Sequence, residues 1–290
     1  MKITQVIAEC LTLAKLALVS DGSRVETLYD VFSTHKNLCE TKLYLNFGYW
    51  KSASSYDDAC EALADLLFSR AEFQRKAQIL DVGCGFGDQD IFWAQKYDVG
   101  RISALNITAS QVEVARGRIR AAGLHERIDV RQGTATKLAF SDNAFHGVVS
   151  LESSAHFDTR DLFFREAYRV LKPGGRLALA DCIPLTEPSG WSPLRRWSSK
   201  LIWRMIQIPS ANLYPADTYR QKLCSAGFKN VELESISDYV FRGFSEYASK
   251  RVRQWEITQK VNPVVRWMWS ATRFEQPESI MDYVIVTAEK

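Results

Sequence analysis

An α/β fold, a parallel sheet covered by helices on both faces, is predicted by two features of the chain. From Gln78 onward, short apolar runs alternate with stretches long enough to cross back over a sheet as helices. The first of those runs, Ile79-Leu80-Asp81-Val82, leads straight into Gly83-Cys84-Gly85-Phe86-Gly87-Asp88, and an amphipathic stretch from Gln89 to Lys96 follows. That is a strand, a tight glycine turn and a helix. Glycine lets the backbone take unusual dihedrals and lets a ligand approach with no Cβ in the way, while the new helix offers free N–H groups. A nucleotide-like ligand is implied. The spacing G-x-G-x-G, with an acidic residue two places before the first glycine, differs from the G-x-G-x-x-G of dinucleotide sites.

Taken in order, residues 1–75 read as a mainly helical entry segment, in which Ala59, Leu63, Leu66 and Leu67 are spaced for one buried face. Within it, Leu43-Tyr44-Leu45-Asn46-Phe47-Gly48-Tyr49-Trp50 breaks the helical period and crowds four aromatics around one glycine. Such a cluster suits either a core plug or a ligand wall. Strands are predicted at 78–82, 101–106, 127–132, 146–151 and 175–181, a helix from Asp217 to Ala226 stopped by Gly227, a strand near 230–240 and a last strand from Met281 to Ala288. The core is therefore read as 76–182, 217–242 and 279–290, interrupted by cap insertions at 183–216 and 243–278. Six of the 8 tryptophans fall in the insertions, interleaved with Arg195, Arg196, Lys200, Arg204, Lys250, Arg251, Arg253, Arg266 and Arg273. Leu194, Trp197, Leu201, Met205 and Ile208 share one helical stripe, which suits packing of a cap. It also suits an aromatic pocket for an apolar substrate, or peripheral contact of 191–208 and 250–273 with anionic lipid.

Composition narrows the classes. With 290 residues, 46% hydrophobic and 12% aromatic, the chain is globular and buries a large core. A net charge of +3 and the absence of a recognised motif argue against nucleic acid as partner. The 6 cysteines form no C-x-x-C pair or Cys/His cluster, so neither metal nor disulfides are expected and a reduced, cytoplasmic setting fits. Ile3 to Ser20 is broken by Glu9 and Lys15, which suits an amphipathic helix better than an export signal. No run is long enough to span a membrane, so the protein is expected to be soluble or peripheral.

Asp81-Val82-Gly83-Cys84-Gly85-Phe86-Gly87 resembles the first motif of class I S-adenosylmethionine-dependent methyltransferases. Leu151-Glu152-Ser153-Ser154-Ala155-His156 and Ala180-Asp181 resemble the Glu-Ser-x-x-His and Ala-Asp segments of sugar and natural-product O-methyltransferases, and Arg169-Val170-Leu171-Lys172-Pro173-Gly174-Gly175-Arg176 fits the same family. The resemblance spans roughly 43–182 and the last strand. It implies a seven-stranded Rossmann-like sheet with an antiparallel final strand, and S-adenosylmethionine as cofactor. It also implies that Asp81, Gly83 and Gly85 lie under the aminoacyl end and that Tyr49 contacts the cofactor while Trp50 packs. Asn106 stands where relatives carry an acidic ribose ligand, followed by Ile107 and Gln111. Thr134 and Ala135 stand at the adenine, with Thr134 in place of an acidic residue, and Leu151 and Glu152 lie beside the cofactor. His146, where relatives tend to carry Asp, reads as structural.

His156 leaves the fourth strand at its carboxyl end, beside the ligand crevice of this fold, and Asp181 ends the neighbouring fifth strand. A histidine and an aspartate so placed suit a general base and its orienting partner. The expected reaction is O-methylation of a small, largely apolar or amphipathic natural product or glycoside. The alternative is methylation of a lipid, quinone or isoprenoid at a membrane surface. An oxidoreductase is disfavoured by the glycine spacing, and a non-catalytic protein on the same fold is separated by a transfer assay.

Overall fold

The structure is a computed structural model that describes residues 11, 39–185, 203, 204, 206–254 and 280–290. Its centre is one 7-stranded sheet in the order β3-β2-β1-β4-β5-β7-β6. The strands are β1 (Gln78–Val82), β2 (Arg101–Asn106), β3 (Ile128–Gln132), β4 (Phe145–Leu151), β5 (Leu171–Pro184), β6 (Lys229–Ser235) and β7 (Met281–Glu289). The first five pair in parallel, and β7 runs antiparallel between β5 and β6. The strand order reverses between β1 and β4, which opens a crevice at their carboxyl ends.

Among the described residues, six α-helices cover the sheet: α1 (Tyr56–Ala71), α2 (Asp88–Lys96), α3 (Ala109–Ala121), α4 (Arg160–Val170), α5 (Ala216–Ser225) and α6 (Phe241–Arg251). Successive strand residues face opposite sides, as the period of two requires. Ile79, Ile102, Val149 and Ile285 join one apolar cluster with Leu63, Trp93, Ile119 and Phe241. Leu80, Val148, Leu179 and Val286 join the other with Phe163, Phe164, Tyr219 and Leu223. The strand ends agree with the sequence reading to within one residue except at β6 and β5: β6, predicted near 230–240, stops at Ser235, where the chain turns into a 3-10 helix over Ser237–Tyr239, and β5 is predicted over 175–181. Its ladder with β7 runs from Arg176↔Glu289 to Pro184↔Met281 and carries the strand beyond its parallel pairing with β4.

Helix α1 begins at Ser55, whose side chain accepts from the Asp58 amide at 3.1 Å. The predicted face is present, with Ala59, Leu63 and Leu67 fully buried. Asp57 beside it accepts from the amides of Thr41 (2.8 Å) and Lys42 (3.0 Å) and from the Thr41 hydroxyl (2.7 Å), which anchors the preceding segment. Trp50 packs as expected: its ring stacks on Tyr56 and leans on Tyr247 of α6, and Nε1 donates to the Phe47 carbonyl at 2.8 Å. Within the stretch assigned to the second insertion, α6 therefore lies on the entry segment, with Phe244 in edge contact with Phe47.

Most of the tryptophan-rich stretches lie outside the described residues, as do residues 1–10 and 12–38. Trp191, Trp197, Leu194 and Leu201 fall there, and so do Met205, Trp255, Trp267 and Trp269. Two described members, Trp203 and Ile208, are buried in the core cluster with Phe241. No described helix is long and apolar enough to cross a membrane.

Candidate active site

The crevice at the β1/β4 switch point encloses about 1020 Å³, part of it open to solvent. Its floor is the glycine turn. The amides of Gly83 and Cys84 both donate to the Leu105 carbonyl, at 2.7 and 3.1 Å, which folds the loop onto the end of β2. Gly83 takes φ +94, and a Cβ there would sit 2.1 Å from Ser153 Oγ, itself donating to the Val82 carbonyl at 2.7 Å. Gly85 takes φ +54, and a Cβ there meets no protein atom within 4 Å. One glycine is thus required by packing and the other borders open space.

Of the residues singled out in the sequence, Gly83, Gly85, Asn106, Ile107, Gln111, Thr134, Ala135, Leu151, Glu152 and His156 all line this crevice. Asn106 holds the loop as well as facing the cavity: Nδ2 donates to Gln111 Oε1 at 2.7 Å and to the Gly85 carbonyl at 3.2 Å. Thr134 stands at the rim, its hydroxyl 3.1 Å from that of Thr136. Ile107, 44% exposed, and Leu45, 42% exposed, give the cavity apolar wall that a bound molecule would cover.

Glu152 closes one side. It sits at φ 54, and one of its oxygens accepts from the Phe47 amide at 2.7 Å and from the Tyr283 hydroxyl at 2.6 Å. The entry segment is thereby tied across the crevice to β7. Burial lifts this carboxyl to about 8, although the Tyr283 and Phe47 hydrogen bonds oppose the shift.

Three expected site residues lie elsewhere. Tyr49 does not line the crevice; its ring packs against Tyr239, 5.4 Å between centroids, and its amide donates to the Ala59 carbonyl at 2.8 Å. Tyr44 and Asn46 from the same segment line the cavity instead. Asp81 is fully buried beneath the loop, where Gln89 Nε2 donates to it at 3.0 Å. Burial lifts Asp81 to about 7.

Asp181 also departs from the expected pairing. Arg160, the first residue of α4, reaches it through Nε at 2.9 Å and Nη2 at 3.2 Å, both side chains being fully buried. Ser154 Oγ, the Tyr219 hydroxyl at 3.1 Å and the Cys182 amide at 2.9 Å also donate to Asp181. A buried carboxylate is taken by the strongest fixed donors within reach, and the guanidinium provides two. The ring of His156 lies against a different element, with Nδ1 3.4 Å from the Gln207 carbonyl oxygen. Burial holds this imidazole below the ordinary histidine value, with the Gln207 contact and Asp181 acting in the opposite direction. His146 plays a structural part, accepting at Nδ1 from the Gln78 amide at 3.0 Å.

The cavity fits S-adenosylmethionine on two observations. A Cβ-free step at Gly85 opens the floor to a ligand. Two residues of its wall, Tyr44 and Asn46, carry buried polar atoms, the Tyr44 hydroxyl and Asn46 Nδ2, that have no hydrogen-bond partner among the described residues. Both suit a ligand carboxylate. Neither was singled out as a ligand in the sequence, where Tyr44 reads as one aromatic among four; the Asn46-x-Gly48 turn was the available signal, since Asn46 Oδ1 accepts from the Gly48 amide at 2.9 Å.

This fold and crevice define the class as a methyltransferase that takes S-adenosylmethionine, and sequence comparison agrees. A methyltransferase domain model matches residues 80–179. Erythromycin 3''-O-methyltransferase of Saccharopolyspora erythraea is 32% identical over 280 residues, covering 94% of this chain and 92% of that protein. The 27-O-demethylrifamycin SV methyltransferase of Amycolatopsis mediterranei is 29% identical over 259 residues, covering 85% and 89%. Among solved structures, the [4+2]-cyclase SpnF aligns with a TM-score of 0.73 at 26% identity, over 93% of this chain and 97% of that one. The chain belongs to the class I S-adenosylmethionine-dependent small-molecule methyltransferases.

Proposed function

We propose that the protein methylates a hydroxyl group of a small, largely apolar natural product or glycoside, with His156 as general base. The observation that carries this reading is the imidazole itself: it stands on the crevice wall past the end of β4, and burial favours its uncharged form. Support for the acceptor class comes from relatives named erythromycin 3''-O-methyltransferase and 27-O-demethylrifamycin SV methyltransferase.

Bound in the crevice, S-adenosylmethionine supplies a methyl group already activated by its sulfonium. Gly83 and Gly85 would let it approach the backbone; the Tyr44 hydroxyl and Asn46 Nδ2 would hold its carboxylate. Asn106 Oδ1 would accept from a ribose hydroxyl, and Ile107, Thr134 and Ala135 would enclose the base. The chain's remaining task is to hold the acceptor oxygen in line at near-attack distance and to receive its proton. His156 is suited to the second part, because a neutral imidazole next to a hydroxyl accepts the proton as the oxygen attacks. Glu152, holding Phe47 and Tyr283 together, would keep the entry segment closed over the cofactor and water out.

The test is transfer of a deuterated methyl group from labelled cofactor to a panel of hydroxylated macrolides, macrolide glycosides and phenols, read by mass spectrometry. The wild type is expected to methylate members of the panel. His156→Ala should lower turnover by about 10²–10⁴-fold, with S-adenosylhomocysteine affinity nearly unchanged. Cofactor binding with no transfer to any hydroxyl, or an unaffected rate in His156→Ala, overturns the reading.

A further inference from the structure

We propose that Asn212 is the positioning residue of the base: its one side chain pins the backbone on both sides of His156 and sets the ring against the Gln207 carbonyl. The proposal rests on the reading of His156 as the general base. Three hydrogen bonds carry it. Asn212 Nδ2 donates to the Ala155 carbonyl at 2.8 Å and to the Phe157 carbonyl at 2.7 Å, the residues immediately before and after His156. Its Oδ1 accepts from the Arg160 amide at 2.9 Å. Asn212 is fully buried, and its own carbonyl accepts from Arg160 Nη1. A single amide thus satisfies two carbonyls of the short turn that presents the imidazole and the first N–H of α4, an amide that has no partner within its own helix.

The same stretch of chain supplies the ring's neighbour. Gln207 is 1% exposed and sits at φ 57, which directs its carbonyl oxygen to within 3.4 Å of His156 Nδ1. A carbonyl oxygen only accepts, so the contact is favourable when Nδ1 carries the proton, and Nε2 is then the basic nitrogen. The role expected of Asp181 is therefore divided. A backbone carbonyl selects the tautomer and Asn212 holds the loop in register with it, while Asp181, clamped by Arg160, secures Asn212 from behind. Among the described residues, the groups facing this arrangement include Arg160 and Asp181 from α4 and β5, and Tyr219 from α5; Tyr214 stacks on the Arg160 guanidinium at 5.2 Å.

Ring nitrogen spectroscopy on the full chain, saturated with S-adenosylhomocysteine and labelled with ¹⁵N at histidine, tests this without an acceptor. The chain has 4 histidines, and the signals lost in His156→Ala assign the one in question. In the wild type His156 should show the Nδ1–H tautomer and titrate below 6.5. Asn212→Ala should shift it to a mixture with Nε2–H and move its titration toward the ordinary value, with cofactor affinity held within about twofold. Asn212→Asp, which keeps the acceptor for the Arg160 amide and removes both donors, should do the same. On a methylated panel member, Asn212→Ala should lower kcat by about 10–10²-fold, with KM for the cofactor unchanged and the acid limb of the profile displaced upward. An Nε2–H tautomer in the wild type, or an unchanged ring in either folded variant, overturns the proposal. Full methyl transfer by His156→Ala would instead remove the base reading, leaving the wild-type tautomer to decide what Asn212 does.

Discussion

Burial decides the chemistry of several single side chains. The imidazole of His156 is kept below 6.5 chiefly by loss of solvent, so its basic form persists to lower pH than that of a free histidine. The rate of methyl transfer should accordingly be flat through neutrality and fall only on an acid limb below 6.5, measured as kcat against pH. A limb above that value would contradict the assignment. Beneath the glycine turn, burial acts on acids. Asp81 is lifted to about 7, and Asp90, also fully buried, lies well above the carboxylate range because of burial and then the Asp81 charge. Among the described residues their oxygens, apart from the one bonded to Gln89, have no partner unless one carboxyl is protonated and donates to the other. A folded-state value above the unfolded one means that the native state binds more protons, so stability is lost as pH rises from the ordinary carboxylate range through about 7. The melting temperature of the cofactor-free protein should therefore drop across that window. Asp90→Asn, which supplies a permanent donor, should flatten that drop; an identical slope would show that the pair does not share a proton.

The turn between β1 and α2 shows what an element contributes beyond its residue types. Both Gly83 and Gly85 hold positive φ, so alanine at either costs about 1–2 kcal/mol in backbone strain. Only at Gly83 does the added methyl collide with Ser153, which is pinned to Val82 and Ser150 by hydrogen bonds of 2.7 and 2.6 Å. Gly83→Ala should unfold at clearly lower temperature than Gly85→Ala. Gly85→Ala should fold but lose most of the thermal shift given by S-adenosylhomocysteine, because its methyl enters the crevice. The strands and this turn were legible because their signals are local: contiguous apolar residues, glycines at fixed spacing, Gly227 at φ 108 ending α5. The partner of Asp181 was not. Adjacent strand ends place two residues near each other without saying what α4 and α5 deliver between them, and Arg160 follows the Thr159 cap where a charged residue reads as solvated. That Tyr44 and not Tyr49 lines the crevice has the same origin, since an irregular aromatic segment has no period from which to read its inward face.

At the scale of the molecule, the strand order places the crevice, and long-range ties give it walls. The order reversal between β1 and β4 sets the glycine turn and the His156 loop side by side, as the alternation of elements implied. The closing wall depends on contacts between distant parts of the chain: Glu152 with Phe47, 105 residues apart, and with Tyr283, 131 apart. Asn212 reaches back 57 residues to Ala155. Such pairs leave no local trace, which is why the reaction class could be read from the chain and the construction of the site could not. The most direct measurement is a crystal structure with S-adenosylhomocysteine. The account predicts the ligand lying along Gly83 and Gly85, its carboxylate at Tyr44 and Asn46, its adenine beside Thr134 and Ala135, and its sulfur on the side of the cavity that carries His156. A ligand bound outside this crevice, or with its sulfur at the far end from the imidazole, would contradict it.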